Sequence, residues 1–300
     1  MATALITGGT GFLGRHIVEV LASAGWLCDT LGTTTANQLV CNLANTVPAI
    51  QHAYELVVHA AGKAHSVPKT EAEGRDFFAV NLNGTKNLCD GLEKAGALPK
   101  ALVFISTVAV YGCESGKNIA ETHPLQGNTP YALSKIEAEQ FLQQWCASQG
   151  IRLTILRLPL VAGYKPPGNL GTMVQGITNG RYFNIGGGLA RKSMVMAADV
   201  GKAILQAWQI GGIYNLTDGV HPSFAALATT IARQLGKGAP RNLPARLAIL
   251  LAKAGDLVGE KAPINTSRLQ KILATLTFDD RRARSAFGWN PQPVTDNLRV

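Results

Sequence analysis

Tyr131 and Lys135 stand four residues apart in Tyr131-Ala132-Leu133-Ser134-Lys135. That spacing puts both side chains on one face of a helix, one turn from each other. An ammonium beside a phenol favours the phenolate and draws its pKa down from ~10, so the pair could exchange a proton near neutral pH. The same spacing also suits an ordinary exposed helix pair. A second chemical signal runs from Thr7 to Gly14, T-G-G-T-G-F-L-G. Gly8, Gly11 and Gly14 permit a tight turn, an open approach for a pyrophosphate and close packing of a helix on a sheet. The helix behind them, with Phe12 and Leu13 in its first turn, offers unpaired N–H donors to an anion. A bland glycine loop is the competing account. The apolar run Ala4 to Ile6 before the motif and the helical periodicity of His16 to Leu21 after it favour the binding turn.

The elements that must position these groups follow in chain order. Trp26 to Leu31 reads as a second strand, and the residue that reads the adenosine ribose in dinucleotide folds falls at its end, about 20 residues past the glycines. Gly32-Thr33-Thr34 stands there, with neither an acid for NAD nor an arginine for NADP. NAD or NADP is therefore the cofactor, with a lean to NADPH because no carboxylate repels its extra phosphate; Asp29 lies too early in the strand. Asn42 and Leu43, after a polar link, are candidates to close over the adenine, and a plain turn is the alternative. Tyr54 to His59 is a buried strand ending in Ala60-Ala61-Gly62, small residues that let a cofactor lie against the backbone. Lys63 and His65 follow on a loop facing that crevice, as substrate contacts or solvated loop residues. Phe77 to Leu92 has helical spacing, and Asn81 inside it lowers propensity, which suits a backbone or water contact near the site. Ala101 to Ile105 is a strand that delivers Ser106 and Thr107. Residues 111–130 read as loop, Tyr131 to Gln149 as helix, and Ile151 to Leu156 as a strand closing at Arg157-Leu158-Pro159.

Beyond residue 160 the strand–helix alternation is lost among prolines and glycines. A dinucleotide-binding domain over 1–160 and a smaller lobe over 161–300, interleaved with the first, is the expected organisation. Helices are expected near Ala198 to Gln209, Ser223 to Leu235 and Pro244 to Leu257. Apolar residues make up 46% of the 300 and charged residues 16%, which excludes a disordered chain. The net charge of +9 fits an anionic partner, but Lys and Arg are scattered without interleaved aromatics, so a phosphorylated small molecule is expected and nucleic acid is not. Five cysteines without a C-x-x-C pair argue against metal and disulfides and for reduced thiols in the cytoplasm. The start enters a strand without a basic n-region or cleavage site, so secretion is not expected. Leu247 to Leu251, the most apolar late run, is too short to span a bilayer and is expected in a packed helix or at an interface.

Together these stretches resemble the extended short-chain dehydrogenase/reductase superfamily, in particular its nucleotide-sugar epimerases, reductases and dehydratases. The resemblance rests on T-G-G-T-G-F-L-G at 7–14, H-A-A-G at 59–62, N-L-N-G-T at 81–85, F-I-S-T-V-A-V-Y-G at 104–112, Y-A-L-S-K at 131–135 and A-F-G-W-N-P at 286–291. It implies an α/β, Rossmann-type doubly wound parallel sheet with a small C-terminal substrate-binding lobe. It also implies Thr107 as the catalytic Ser/Thr, Tyr131 as acid/base and Lys135 as the holder of the nicotinamide ribose. Gly8, Gly11, Phe12, Leu13, Gly14, Asn42, Leu43, Ala60, Ala61, Gly62, Asn81, Ser106 and Leu158 would join Tyr131 and Lys135 around the cofactor. Lys63, His65, Thr107, Val108, Asn169 and Arg191 would face the substrate.

Departures from the pattern narrow the reaction. Sugar 4,6-dehydratases carry Asp-Glu after the catalytic Thr, and Val108-Ala109 stands here, which disfavours dehydration. Val108 also replaces the cysteine usual in epimerase-reductases of the fucose type. Arg191-Lys192-Ser193-Met194-Val195 resembles the R-R-S-L-V run of reductases acting on UDP-4-keto-6-deoxy-N-acetylhexosamine, which supply bacterial surface polysaccharide. That likeness implies a 4-ketoreductase on a UDP-sugar; Arg191, whose guanidinium can grip phosphate oxygens in a fork, is the candidate for the pyrophosphate, with an ordinary surface arginine as the equal alternative. A 4-epimerase with bound NAD is the alternative, and a non-catalytic dinucleotide sensor or a reductase of apolar substrates stands behind both. Dimers built on the helices of Asn81 and Tyr131 are a further implication of the likeness.

Overall fold

The computed structural model describes residues 1–64, 66–258 and 264–300. Its elements run, in order, β1 (Thr3–Thr7), α1 (Phe12–Ser23), β2 (Leu27–Gly32), β3 (Leu39–Val40), β4 (Leu56–His59), α2 (Glu71–Phe78), α3 (Gly84–Lys94), β5 (Ala101–Thr107), β6 (Gly116–Ile119), α4 (Pro130–Gln149), β7 (Arg152–Leu158) and β8 (Leu160–Ala162). There follow α5 (Gly168–Thr178), β9 (Asn184–Ile185), β10 (Met194–Met196), α6 (Ala197–Ala207), β11 (Gly212–Asn215), α7 (Phe224–Gln234), β12 (Asn242–Leu243), α8 (Ala245–Val258), α9 (Thr266–Leu273), β13 (Leu276–Phe278), α10 (Arg281–Phe287) and α11 (Val294–Asn297).

Seven strands form one parallel sheet in the order β11-β7-β5-β4-β1-β2-β3. Every residue of β4 and β5 is buried, the continuous pattern of strands covered on both faces. On one face Ile17 and Leu21 of α1 meet Val200, Ala203 and Ile204 of α6; on the other, Leu88 and Leu92 of α3 meet Leu142 and Trp145 of α4. This is a doubly wound Rossmann-type fold. Strand order reverses between β1 and β4, so the ligand crevice of such a sheet opens at the carboxyl ends of these two strands.

Residues on both sides of position 160 build the sheet. β11 extends it beyond β7, and α6 lies so close to α1 that a Cβ on Gly201 would come within 2.8 Å of the Val20 Cβ. The three helices expected late in the chain are present as α6, α7 and α8. A separate core joins Leu170 and Met173 of α5 to Leu227 and Ile231 of α7. Trp289 of the A-F-G-W-N-P run is 3% exposed and its indole N–H donates to the Thr217 carbonyl at 3.0 Å, so the run is a core anchor.

Two expectations need correction. The helix expected over Phe77 to Leu92 begins earlier, at Glu71, and is interrupted by one π turn at Ala79–Asn83. The stretch 111–130 is not all loop: β6 lies inside it and pairs with β13, whose partner residues come more than 150 positions later. Truncating the anchor, Trp289→Ala, is expected to destabilise the fold by ~3–5 kcal/mol through the cavity it leaves, measured by chemical denaturation.

Candidate active site

The glycine turn is built so tightly that side chains are excluded. Gly8 has φ +70°, and a Cβ there would lie 2.9 Å from the Ala61 backbone; one on Gly14 would lie 2.0 Å from the Gly8 carbonyl oxygen. Gly11 caps α1 with no side-chain hydrogen bond, and the first turn of α1 carries no acid. The N–H groups and positive end of α1 therefore face the crevice undiluted, a cradle that fits a diphosphate. Phe12 meets His16 edge-on at 5.7 Å, and Leu13 and Ala60 pack against the core beneath.

Behind this cradle runs a buried hydrogen-bonded chain. Ala61 N–H donates to Thr7 Oγ1 (3.0 Å), Thr7 contacts His59 Nδ1 (2.7 Å), His59 Nε2 contacts Thr85 Oγ1 (2.9 Å), and Thr85 donates to the Asn81 carbonyl (2.6 Å). Because the Thr85 proton is committed to Asn81, Thr85 accepts from His59 Nε2–H, and His59 Nδ1 accepts from Thr7. The ring is neutral in this arrangement. Burial, with the nearby Lys135 charge, pushes the His59 pKa down to about 3. The Asn81 side chain accepts from Lys63 N–H (2.8 Å) and donates to the Lys63 carbonyl (3.2 Å) and Ser134 Oγ (2.9 Å), the backbone contact its helical position suggested.

Thr107 ends β5, Tyr131 and Lys135 open α4, and the three converge. The Thr107 hydroxyl accepts from Ala109 N–H at 3.2 Å and is near enough to Tyr131 to oppose the rise of its pKa. Lys135 is 5% exposed; its ammonium donates to the Ile105 carbonyl (2.8 Å) and lies 4.3 Å from the Phe104 ring centre. Gly62 faces the same point, where a Cβ would come within 3.0 Å of Asn81 Oδ1 and 3.4 Å of Lys135 Nζ. The expected lowering of the tyrosine pKa is corrected here. Burial raises Tyr131 above its ordinary value and outweighs the opposing effect of Thr107, while burial lowers Lys135 to about 8.

The remaining candidates are distributed more widely. Ser106 is buried with its hydroxyl bound to Glu139, and Glu139 is paired with Arg157 at 2.6 Å, all inside the protein. Asn42 is exposed and its amide oxygen accepts from Ala44 N–H, while Leu43 is buried and its carbonyl accepts from Asn87. Leu158 is core. Lys63 is paired with Asp76 at 2.7 Å and lies over Phe77, whose ring is 6.0 Å from Tyr131. Val108 stands in the turn after Thr107 and packs in a small cluster with Val110 and Tyr111. Asn169 is exposed in the first turn of α5. Arg191 is exposed, with its guanidinium donating to the His221 carbonyl at 3.1 Å. His65 lies outside the described residues. Among the described residues no three His, Cys, Asp or Glu side chains could hold one metal ion.

Sequence reasoning missed Asn37, Thr7, Thr85, Glu139 and Arg157. Asn37 is 6% exposed, and its amide occupies the space a side chain on Gly32 would need, with Nδ2, Oδ1 and Cγ at 2.8–3.0 Å from that Cβ position. No local pattern marks it; only the fold brings it there.

A profile of the NAD dependent epimerase/dehydratase family matches residues 4–217, well over half of the chain. The chain belongs to this family. Among curated relatives, the N-acetyl-alpha-D-glucosaminyl-diphospho-ditrans,octacis-undecaprenol 4-epimerase of Escherichia coli O157:H7 is 30% identical over 74% of this chain and 70% of that protein. The UDP-glucose 4-epimerase of Azospirillum brasilense is 31% identical over 56% of this chain and 51%, about half, of that protein. Among solved structures, the UDP-glucose 4-epimerase of Thermotoga maritima, crystallised with UDP-glucose, superposes with a TM-score of 0.75 over 99% of this chain and 96% of that one, at 21% identity. Membership makes the protein a nicotinamide-dinucleotide-dependent enzyme of the short-chain dehydrogenase type, and the glycine cradle fits that dinucleotide.

A buried ammonium with a depressed pKa opposes folding while it is charged. Below pH 8 Lys135 is protonated in both the folded and unfolded chain, and the folded state carries the full desolvation penalty; above about 10.5 both forms are neutral and the penalty is gone. Lys135→Met is therefore expected to stabilise the protein by up to about 3 kcal/mol at pH 7, with the gain shrinking between pH 8 and 10.5. Urea denaturation across that range is the measurement.

Proposed function

We propose that the protein is an NAD-dependent 4-ketoreductase of a UDP-4-keto-6-deoxy-N-acetylhexosamine, serving surface polysaccharide synthesis. The observation that supports this reading is the gathering of Thr107 at the end of β5 with Tyr131 and Lys135 at the start of α4, beside the glycine turn. A bound nicotinamide dinucleotide supplies the hydride. Tyr131 gives its proton to the oxygen at carbon 4, and Thr107 hydrogen-bonds the same oxygen. The positive charge of Lys135 one helical turn on stabilises the phenolate left behind. Val108 and Ala109 offer no second acid or base, which speaks against dehydration. Lys63 and Arg191 are the cations nearest in role to the substrate's diphosphate, and the lobe beyond residue 160 supports its sugar and nucleotide. The second reading, 4-epimerisation of an N-acetylhexosamine carried on a diphosphate, is favoured by the name and extent of the Escherichia coli relative. Epimerisation ends in the same reduction at carbon 4, so the two readings share Thr107, Tyr131 and Lys135 and differ in whether the oxidised cofactor is released.

The reduction is tested with UDP-4-keto-6-deoxy-N-acetylglucosamine and NADH, following loss of nicotinamide absorbance. Stoichiometric oxidation is expected. Tyr131→Phe is expected to lose ~10²- to 10⁴-fold in kcat while cofactor affinity is kept. No oxidation, with 4-epimer formed from UDP-N-acetylglucosamine without added cofactor, would put the second reading first.

The place of Asn37 favours NAD over NADP, against the lean that a missing carboxylate suggested. Its Nδ2 donates to the Thr34 carbonyl (2.9 Å) and Oγ1 (3.1 Å), which fixes the amide orientation, and its buried Oδ1 has no partner among the described residues. A desolvated acceptor without a cation suits a ribose hydroxyl and repels a phosphate. Wild-type protein is expected to bind NADH more than ~tenfold tighter than NADPH, and Asn37→Ala to lose most of that margin, by calorimetric titration. Preference of the wild type for NADPH would overturn this assignment.

A further inference from the structure

Helix α8 packs on one side only. Ala248 and Ala252, at 0% and 1% exposure, and Gly255 turn toward α9, where Leu269 is 4% exposed. Leu247, Leu250, Leu251 and Leu257 are 46%, 65%, 46% and 91% exposed. At 100° per residue these four and Ala254 form a single stripe about 120° wide, adjoining the packed face. Exposed Arg246 and Lys253, seven residues apart, border that stripe along its other edge.

The surroundings are basic as well. From Gly219 to Gly255 the sequence holds five Lys and Arg and no Asp or Glu. Asp256, the first carboxylate after this stretch, is engaged by the start of α9: it accepts from Thr266 N–H at 2.9 Å and from the Thr266 hydroxyl at 2.5 Å. An apolar stripe edged by cations, preceded by a stretch of sequence without acids, is the pattern of a helix lying in the interface of an anionic bilayer. No helix among the described residues is long and apolar enough to cross a membrane, so α8 would lie on the surface.

We infer that α8 docks the protein on a membrane surface carrying anionic lipid, with the leucine stripe in the acyl boundary and Arg246 and Lys253 at the headgroups. A second copy fits less well, because an antiparallel two-fold contact through this stripe would set the Arg246 and Lys253 edge of one copy beside the same edge of the other. The start of α8 adjoins Gly186, where a Cβ would lie 3.5 Å from that of Ala245, and the Gly186–Gly188 turn leads directly to Arg191. Docking would hold the C-terminal lobe at the bilayer.

The experiment is co-sedimentation of the full chain with phosphatidylcholine vesicles with and without 30% phosphatidylglycerol, at low and high salt. Sedimentation with the anionic vesicles, falling at high salt and weak on pure phosphatidylcholine, is expected. Leu250→Glu combined with Leu257→Glu should lower the bound fraction at least ~tenfold with circular dichroism and melting temperature unchanged, and Arg246→Glu with Lys253→Glu should lower binding to the anionic vesicles alone. Absence of anionic-vesicle binding in the wild type, or binding unchanged in the leucine variant, overturns the inference. So does a concentration-dependent doubling of mass in scattering that the leucine variant abolishes, since the stripe would then belong to a second copy. Vesicle binding is read without turnover, so it stands apart from the proposed reaction.

Discussion

Every polar group that the parallel sheet delivers to its carboxyl edge must find a partner inside the protein, and the chain from Ala61 through Thr7, His59 and Thr85 to Asn81 is how this fold meets that constraint. A buried hydroxyl or imidazole without a partner costs roughly 1–3 kcal/mol. Here each donor meets one acceptor, and the direction of the chain admits one tautomer of His59. The π turn at Ala79–Asn83 is part of the same solution. It turns the Asn81 side chain onto the Lys63 backbone and leaves the Asn81 carbonyl for Thr85. The end of β1, the segment after β4 and the start of α3 are thus fixed to one another at the crevice, and Ser134 ties α4 to the same point.

A second buried network holds β5, α4 and β7 together from below. Glu139 and Arg157 are 0% and 3% exposed, and bringing two charges to such a place costs several kcal/mol each before they meet. Their geometry offsets that penalty: Arg157 gives Nε and Nη2 to Glu139 and Nη1 to Tyr111 and the Glu121 carbonyl. Ser106 adds a hydroxyl to the same carboxylate. Tyr111 passes the connection to Asn215 on β11, whose amide reaches carbonyls of Ile119 and Asp279. The pair's value therefore lies in register: it joins three neighbouring elements to the late strands that would otherwise be free to slide.

What the sequence made legible was local. The glycine turn, the buried strands and the Tyr131–Lys135 helix each carry their signal within a few residues, and they form as expected. What it hid was set by distant partners. Strand β6 is four residues with a lysine and an asparagine, indistinguishable from loop until β13 supplies its hydrogen bonds. Asn37 lies in a polar link, and its amide matters because Gly32 leaves room above the end of β2. Ser106 sits beside Thr107 in sequence, yet alternation along β5 turns it to the opposite side, into Glu139. Leu158 likewise falls into the core one residue after Arg157.

The direction of the two shifts in the candidate site follows from one cause. In water a phenol and an alkyl ammonium lose their protons at nearly the same pH, ~10 for each. Removing water disfavours the charged form of both, which moves the phenol up and the ammonium down. Their order is then fixed: Lys135 gives up its proton before Tyr131 does. Thr107 pulls the phenol the other way and desolvation outweighs it, while Lys135 directs its ammonium to the Ile105 carbonyl and the Phe104 face. A phenol so held is an acid awaiting a base. The basic atom it suits is an alkoxide formed beside it, and that makes the burial of Lys135 part of the chemistry as much as part of the packing.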